Sequence, residues 1–294
     1  MSFREVLESG KFVVTAEVGP PKGTDISEMV HHIELLKGKV EALNFTDNQS
    51  AVMRMNSLAG CAIAVEHGVE PILQMTCRDR NRIGLQSDLL GAYALGVKNV
   101  LCMTGDHVSA GDHKGAKSVY DVESVQLLRI VDSLNNGKDM AGNELKGGTD
   151  FFQGGVVTPE ANPLEPQLMK FEKKIKAGAG FFQTQAVYDI AKFGEFMKYA
   201  RKFPVKVLAG LVVLKSAGMA NFLNNYVPGI KVPQELIDEL KAAGKGKGLD
   251  KGIEICARHI KQLRDEGICD GVHIMAIGME DRVPEIMERA GISD

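Results

Sequence analysis

Eight times along the chain an apolar run rich in β-branched residues gives way to a stretch with helical periodicity. No other feature restricts the fold as tightly. The β-type runs open within residues 11–23 and recur at 40–47, 71–79, 99–106, 151–158, 181–188, 205–214 and 271–278. Helical patterns follow each, from the stretch ending at Gly38 to the last at 282–290. Strands that alternate with helices pair in parallel, and eight such units predict a (β/α)8 TIM barrel, with a doubly wound sheet as the competing architecture. The 294 residues suit one barrel and show no composition break, so residues 1–294 are expected to form a single domain.

The chain closes on its own chemistry. A net charge of -3 gives no basic footprint for nucleic acid, and the absence of tryptophan removes the best stacking platform for single strands. No apolar run is long enough for a membrane span and residues 1–10 do not read as a signal peptide, so a cytoplasmic location is expected. The five cysteines form no C-x-x-C pair, which argues against a disulfide framework or a zinc site. No metal is expected.

Residues 11–23, KFVVTAEVGPPKG, hold the first candidate for chemistry. Val13, Val14 and Thr15 favour a strand, and Pro20 and Pro21 must end it. Glu17 then lies at the carboxyl end of a strand, where barrel enzymes keep their sites and where a carboxylate can serve as an acid. Side-chain alternation extends the pattern. Thr15 would share the face of Glu17, Thr104 that of Asp106, and Gln183 that of Gln185; Asn44 with Thr46 and Gln74 with Thr76 would behave alike. A mouth ringed by acids, amides and hydroxyls is costly to bury without a polar ligand. The inward faces of the first six runs carry no histidine; His273, on the eighth, is the exception among the strands, which argues against a Ser-His-Asp hydrolase.

Three segments read as connections. Residues 107–120 form a long polar loop, and the glycine-rich 135–150 a turn or small hairpin. The run GKGKGLDKG at 244–252 has the composition of a phosphate loop but the spacing of none, so a solvated loop between helices is expected.

The motifs AEVGPPKG at 16–23, LCMTGD at 101–106, KAGAGFFQTQ at 176–185 and GVHIMAIG at 271–278, in this order, resemble the methylenetetrahydrofolate reductases over nearly the whole chain. The resemblance implies a flavin-containing barrel that reduces 5,10-methylenetetrahydrofolate to 5-methyltetrahydrofolate, with hydride passing from N5 of reduced flavin to a 5-iminium cation. It implies Glu17 as the general acid at N10 and Asp106 as the anion beside flavin and pterin. Gln185, with Gln183 on the same face, would bind the pterin. Thr46, Gln74, Thr104, Gly105 and Asp106 would contact the flavin, and Lys174 its phosphates.

Departures from the family pattern fall at Gln74, Thr158, Asn162 and Asp121. They leave the ring site in place and the adenine side less defined: FAD is expected, with FMN as the alternative. The likeness is to the short bacterial form, without built-in adenosylmethionine control. NAD(P)H or an electron-transferring partner subunit would supply electrons, and association into an oligomer is expected. Two other readings compete, a pterin-binding barrel methyltransferase without flavin and a non-catalytic docking subunit. The retained Glu17, Asp106 and Gln185 speak against the second of these.

Overall fold

A computed structural model describes residues 1–227 and 229–292. Eight parallel strands close in sequence order into a barrel: β1 (Val13–Val18), β2 (Ala42–Phe45), β3 (Pro71–Thr76), β4 (Asn99–Met103), β5 (Phe152–Val157), β6 (Phe181–Ala186), β7 (Lys206–Val212) and β8 (Gly271–Met275). Strand β1 pairs with both β2 and β8, which an open doubly wound sheet cannot do. The helices are α1 (Phe3–Glu8), α2 (Ser27–Leu36), α3 (Ser57–Glu66), α4 (Arg82–Ala94), α5 (Ser124–Asn135), α6 (Glu165–Lys176), α7 (Ile190–Ala200), α8 (Ala217–Tyr226), α9 (Gln234–Ala242), α10 (Gly248–Asp265) and α11 (Val283–Arg289). No described helix is long and apolar enough to cross a membrane.

Strand parity builds two cores. On β1 the outward Val14, Ala16 and Val18 join Met29, Ile33 and Leu36 of α2 in the layer between barrel and helices. The inward residues at the strand starts, among them Val13, Ile72, Phe152, Phe181 and Leu208, pack with Phe3, Val6 and Leu7 of α1. This short helix, unmarked in the sequence reading, plugs the amino-terminal end. Its apolar residues sit at i, i+3 and i+4, and Phe3 meets Phe181 edge-on at 5.4 Å between ring centroids. All five cysteines are buried free thiols.

Helix α2 has no side-chain cap, and Asp25 Oδ1 accepts from the Ser27 amide and hydroxyl. One local expectation is corrected. Half of the expected 244–252 loop is helical, since α10 starts at Gly248. A Cβ at Gly252 would lie 1.7 Å from the Leu214 carbonyl oxygen, so glycine there serves close packing of α10 on the end of β7, not loop flexibility. The 135–150 segment does turn back on itself, with an antiparallel bridge between Lys138 and Glu144.

Candidate active site

Above the apolar plug lies a polar floor, set by register. Thr15 pairs with His273 across β1 and β8, and Glu17 with Asn44 across β1 and β2. Thr15 Oγ1 and His273 Nδ1 are 3.0 Å apart, and Gln183 Nε2 donates to Thr15 Oγ1 at 3.2 Å. Gln183 and Asn44 exchange amide hydrogen bonds of 2.7 and 3.0 Å. Every buried polar group of this floor has a partner, as burial requires. Gln183 is thereby committed to the barrel and is not free for a ligand.

The floor closes the bottom of a cavity of about 390 Å³ at the carboxyl ends of the strands. Glu17 stands on its wall, 8% exposed. Its two oxygens are held separately, Oε1 by Gln49 Nε2 and Oε2 by Gln74 Nε2, each at 3.1 Å. His273 Nε2 lies 3.7 Å from Oε2. Gln49 comes from the loop after β2, where Asn48, Ser50 and Ala51 all take positive φ. Such backbone is strained for non-glycine residues and tends to be kept where a side chain must be aimed.

Opposite elements supply an amide and an anion. The register of β6 against β7 shifts between Gln183 and Ala186, and at this bulge Gln183, Thr184 and Gln185 all reach the cavity. Thr184 Oγ1 is used by the Gly210 amide, whereas the Gln185 side chain makes no hydrogen bond among the described residues. Strand β4 stops at Met103, short of its expected end, because Gly105 turns the chain at φ +87°. Asp106 follows, exposed at the rim, with Thr104 and Gly105 beside it on the wall.

The cavity is basic at one end. Lys170 and Lys174, one turn apart on α6, line it with Ser124 at the start of α5. Lys174 is buried and donates to the Val156 carbonyl. Burial first, then the neighbouring Lys170, brings its ammonium down to about 8. Lys170 lies 3.5 Å from Glu123 Oε2, and Glu123 Oε1 caps the start of α5 by accepting from the Val125 amide at 3.0 Å.

Glu17, Gln74, Thr104, Gly105, Asp106, Lys174, Gln183 and Gln185 therefore line one cavity. Thr46 does not join them. Strand β2 ends at Phe45, so strand parity no longer governs position 46, and the Thr46 hydroxyl is buried without a partner. The structure adds His273, Gln49, Arg78 and Lys170 to the wall. His273 was visible as the histidine on the eighth strand; Arg78 carried no signal, since a basic residue at a strand end reads as solvated.

A family model described as methylenetetrahydrofolate reductase matches residues 2–291. A protein of Caenorhabditis elegans described as a probable methylenetetrahydrofolate reductase (NADPH) is 24% identical over 233 residues, covering 76% of this chain and 33% of its own length. Methylenetetrahydrofolate reductase 2 of Schizosaccharomyces pombe is 23% identical over 240 residues, covering 77% and 36%. The chain thus spans about a third of the length of these curated relatives. Among solved structures, a Clostridium thermocellum protein described as binding two copies of 5-methyl-5,6,7,8-tetrahydrofolic acid superposes with a TM-score of 0.68 at 17% identity, covering 99% of this chain and 97% of that one.

Proposed function

This chain belongs to the methylenetetrahydrofolate reductase family, and from that premise we propose that it reduces 5,10-methylenetetrahydrofolate to 5-methyltetrahydrofolate with a bound flavin. The observation that carries the reading is the convergence of Glu17, Asp106 and Gln185, from β1, the β4 turn and β6, on one cavity. The same barrel in the Clostridium thermocellum protein is described as binding the methylated folate, so the fold accommodates that class of ligand.

The walls suit a flavin. Their volume of about 390 Å³ falls in the range of ligand sites, and the basic end matches a phosphate tail. The Gly105 turn brings bare backbone to the wall, and the Gln185 amide is left for a polar ring edge. Gln74, Thr104 and Gly105 would hold the ring, and Lys170 and Lys174 the phosphates. FAD is the first choice and FMN the alternative. When bound, the flavin supplies the hydride chemistry.

The chain's own residues do the rest. Glu17 carries the proton for N10 of the folate, opening its five-membered ring. Gln49 and Gln74 fix both oxygens of that acid before the substrate arrives, so its orientation is settled in advance. Asp106 places a negative charge where the 5-iminium cation develops, the preorganised electrostatics such a step needs. Gln185 orients the pterin. NAD(P)H or an electron-transferring partner subunit would reduce the flavin.

The test is direct. The purified protein should be yellow, release FAD or FMN on heating, and be bleached by 5-methyltetrahydrofolate under anaerobic conditions. An NADH oxidation assay separates a nicotinamide donor from a protein donor. A colourless protein that takes up no flavin overturns the reading and favours a flavin-free pterin enzyme.

A further inference from the structure

We propose that Arg78 is a positioning residue for Asp106, fixing the turn that carries this anion to the cavity mouth. The purpose assigned to the turn rests on the function proposed above; the clamp itself rests on geometry. Arg78 lies two residues past the end of β3 and is 2% exposed, the largest side chain so deeply buried among the described residues. Its guanidinium joins the ends of three consecutive strands. Nε donates to both Asp79 carboxylate oxygens at 2.9 and 3.1 Å. Nη2 donates to Asp79 Oδ2 at 2.7 Å and to the Asp47 carbonyl, just past β2, at 3.2 Å. Nη1 donates to the Asp106 carbonyl, just past β4, at 3.4 Å.

The turn needs such a clamp. The Asp106 carboxylate is exposed and makes no hydrogen bond among the described residues, so the course of the turn, which sets the direction of its Cα–Cβ bond, is what brings it to the mouth. Gly105 stands at φ +87°, where a Cβ would meet that of Thr76 at 2.8 Å. Tyr120 Oη tethers the turn from its other side, donating to the Gly105 carbonyl at 3.2 Å. Charge balance alone would not require this arrangement. Asp47 is already met by Arg80 Nη1 and Nη2 at 2.8 and 3.1 Å, so the reach of Arg78 goes to backbone carbonyls as well as to Asp79. A planar fork satisfies three strand ends at once; an ammonium of equal charge cannot.

Arg78→Lys keeps the charge and loses the fork, and amide hydrogen exchange on the flavin-loaded protein reads the result. Exchange of the Cys77 amide, which donates to the Met103 and Thr104 carbonyls at 3.2 Å, should quicken about tenfold while the melting temperature holds within a few degrees. In the anaerobic half-reaction with 5-methyltetrahydrofolate, the substitution should slow flavin reduction about tenfold in the wild-type background but less than about twofold beside Asp106→Asn. Unchanged exchange, or equal slowing in both backgrounds, overturns the proposal. Should Arg78→Lys not accumulate as folded protein, Arg78→Gln is read in the same way. If the wild type does not react with the folate at all, the proposed function fails while the exchange data still decide the clamp.

Discussion

Gln74 Nε2 stands 3.1 Å from Glu17 Oε2, and Gln49 holds the other oxygen of the same carboxyl at the same distance. An amide offers an N–H or a C=O on one hinge, so the pair can serve Glu17 both as carboxylate and as acid. His273, 3.7 Å away, is tied to Thr15 on its far side and braces the acid from the floor.

Glu17→Gln keeps the shape of the site and removes the proton. The variant should still bind flavin, because Glu17 meets the proposed ring-holding residues only through the Gln74 amide, and the carbonyl of a glutamine at position 17 can accept that same hydrogen bond. Turnover of methylenetetrahydrofolate should fall by a factor of about 10² to 10⁴, the usual contribution of a placed acid. Stopped-flow flavin reoxidation checks this, and a variant retaining most of its activity would remove Glu17 from the chemistry.

The βα alternation and the ring of polar residues at the strand ends were legible because both follow from periodicities of 2 and 3.6. What was hidden depends on three-dimensional closure. Helix α1 is only six residues long and acquires meaning from Phe152 and Phe181, some 150 positions or more away. Gln183 looked like a ligand-binding amide until register placed Asn44 against it. Thr46 looked inward by parity, yet its strand ends one residue earlier. The bulge at Gln185 and the reach of Arg78 to Asp106 are likewise products of neighbours that no local pattern announces.

The plug formed by α1 gives a stability prediction. Phe3 is fully buried against Phe152 and Phe181 at the amino-terminal end. Phe3→Ala should cost about 3–5 kcal/mol, the transfer loss plus an unfilled cavity. A urea titration would show a lower midpoint. A shift below about 1 kcal/mol would mean that α1 is not an integral part of the core.

Lys174 links ligand binding to pH. Its ammonium is brought down to about 8, chiefly by burial. Above that pH it is neutral in the free protein and attracts phosphate less. Affinity for FMN should therefore fall severalfold between about pH 7 and pH 9, while riboflavin, which has no phosphate, should lose no such increment. Lys174→Met should bind FMN more weakly and flatten the profile. The stability of the free protein runs the other way: between about 8 and the ordinary lysine value of 10.5 the unfolded chain holds a proton that the folded one has released, so raising the pH stabilises the fold. Fluorescence titrations of both flavins across this range would expose an FMN profile no steeper than that of riboflavin, which would remove Lys174 from the phosphate site.

His259 should govern part of the acid limb of stability. It lies buried on α10, and burial, reinforced by Arg258, lowers its imidazolium to about 4 from 6.5. Between those values the unfolded chain takes up a proton that the folded chain refuses, so stability is lost as the pH falls from 6.5 towards 4. At the bottom of that window the loss amounts to about 3 kcal/mol. His259→Leu has no proton to refuse. Its urea midpoint should therefore change less between pH 7 and pH 4.5 than that of the wild type, and parallel profiles for the two proteins would show that the acid sensitivity resides in other groups.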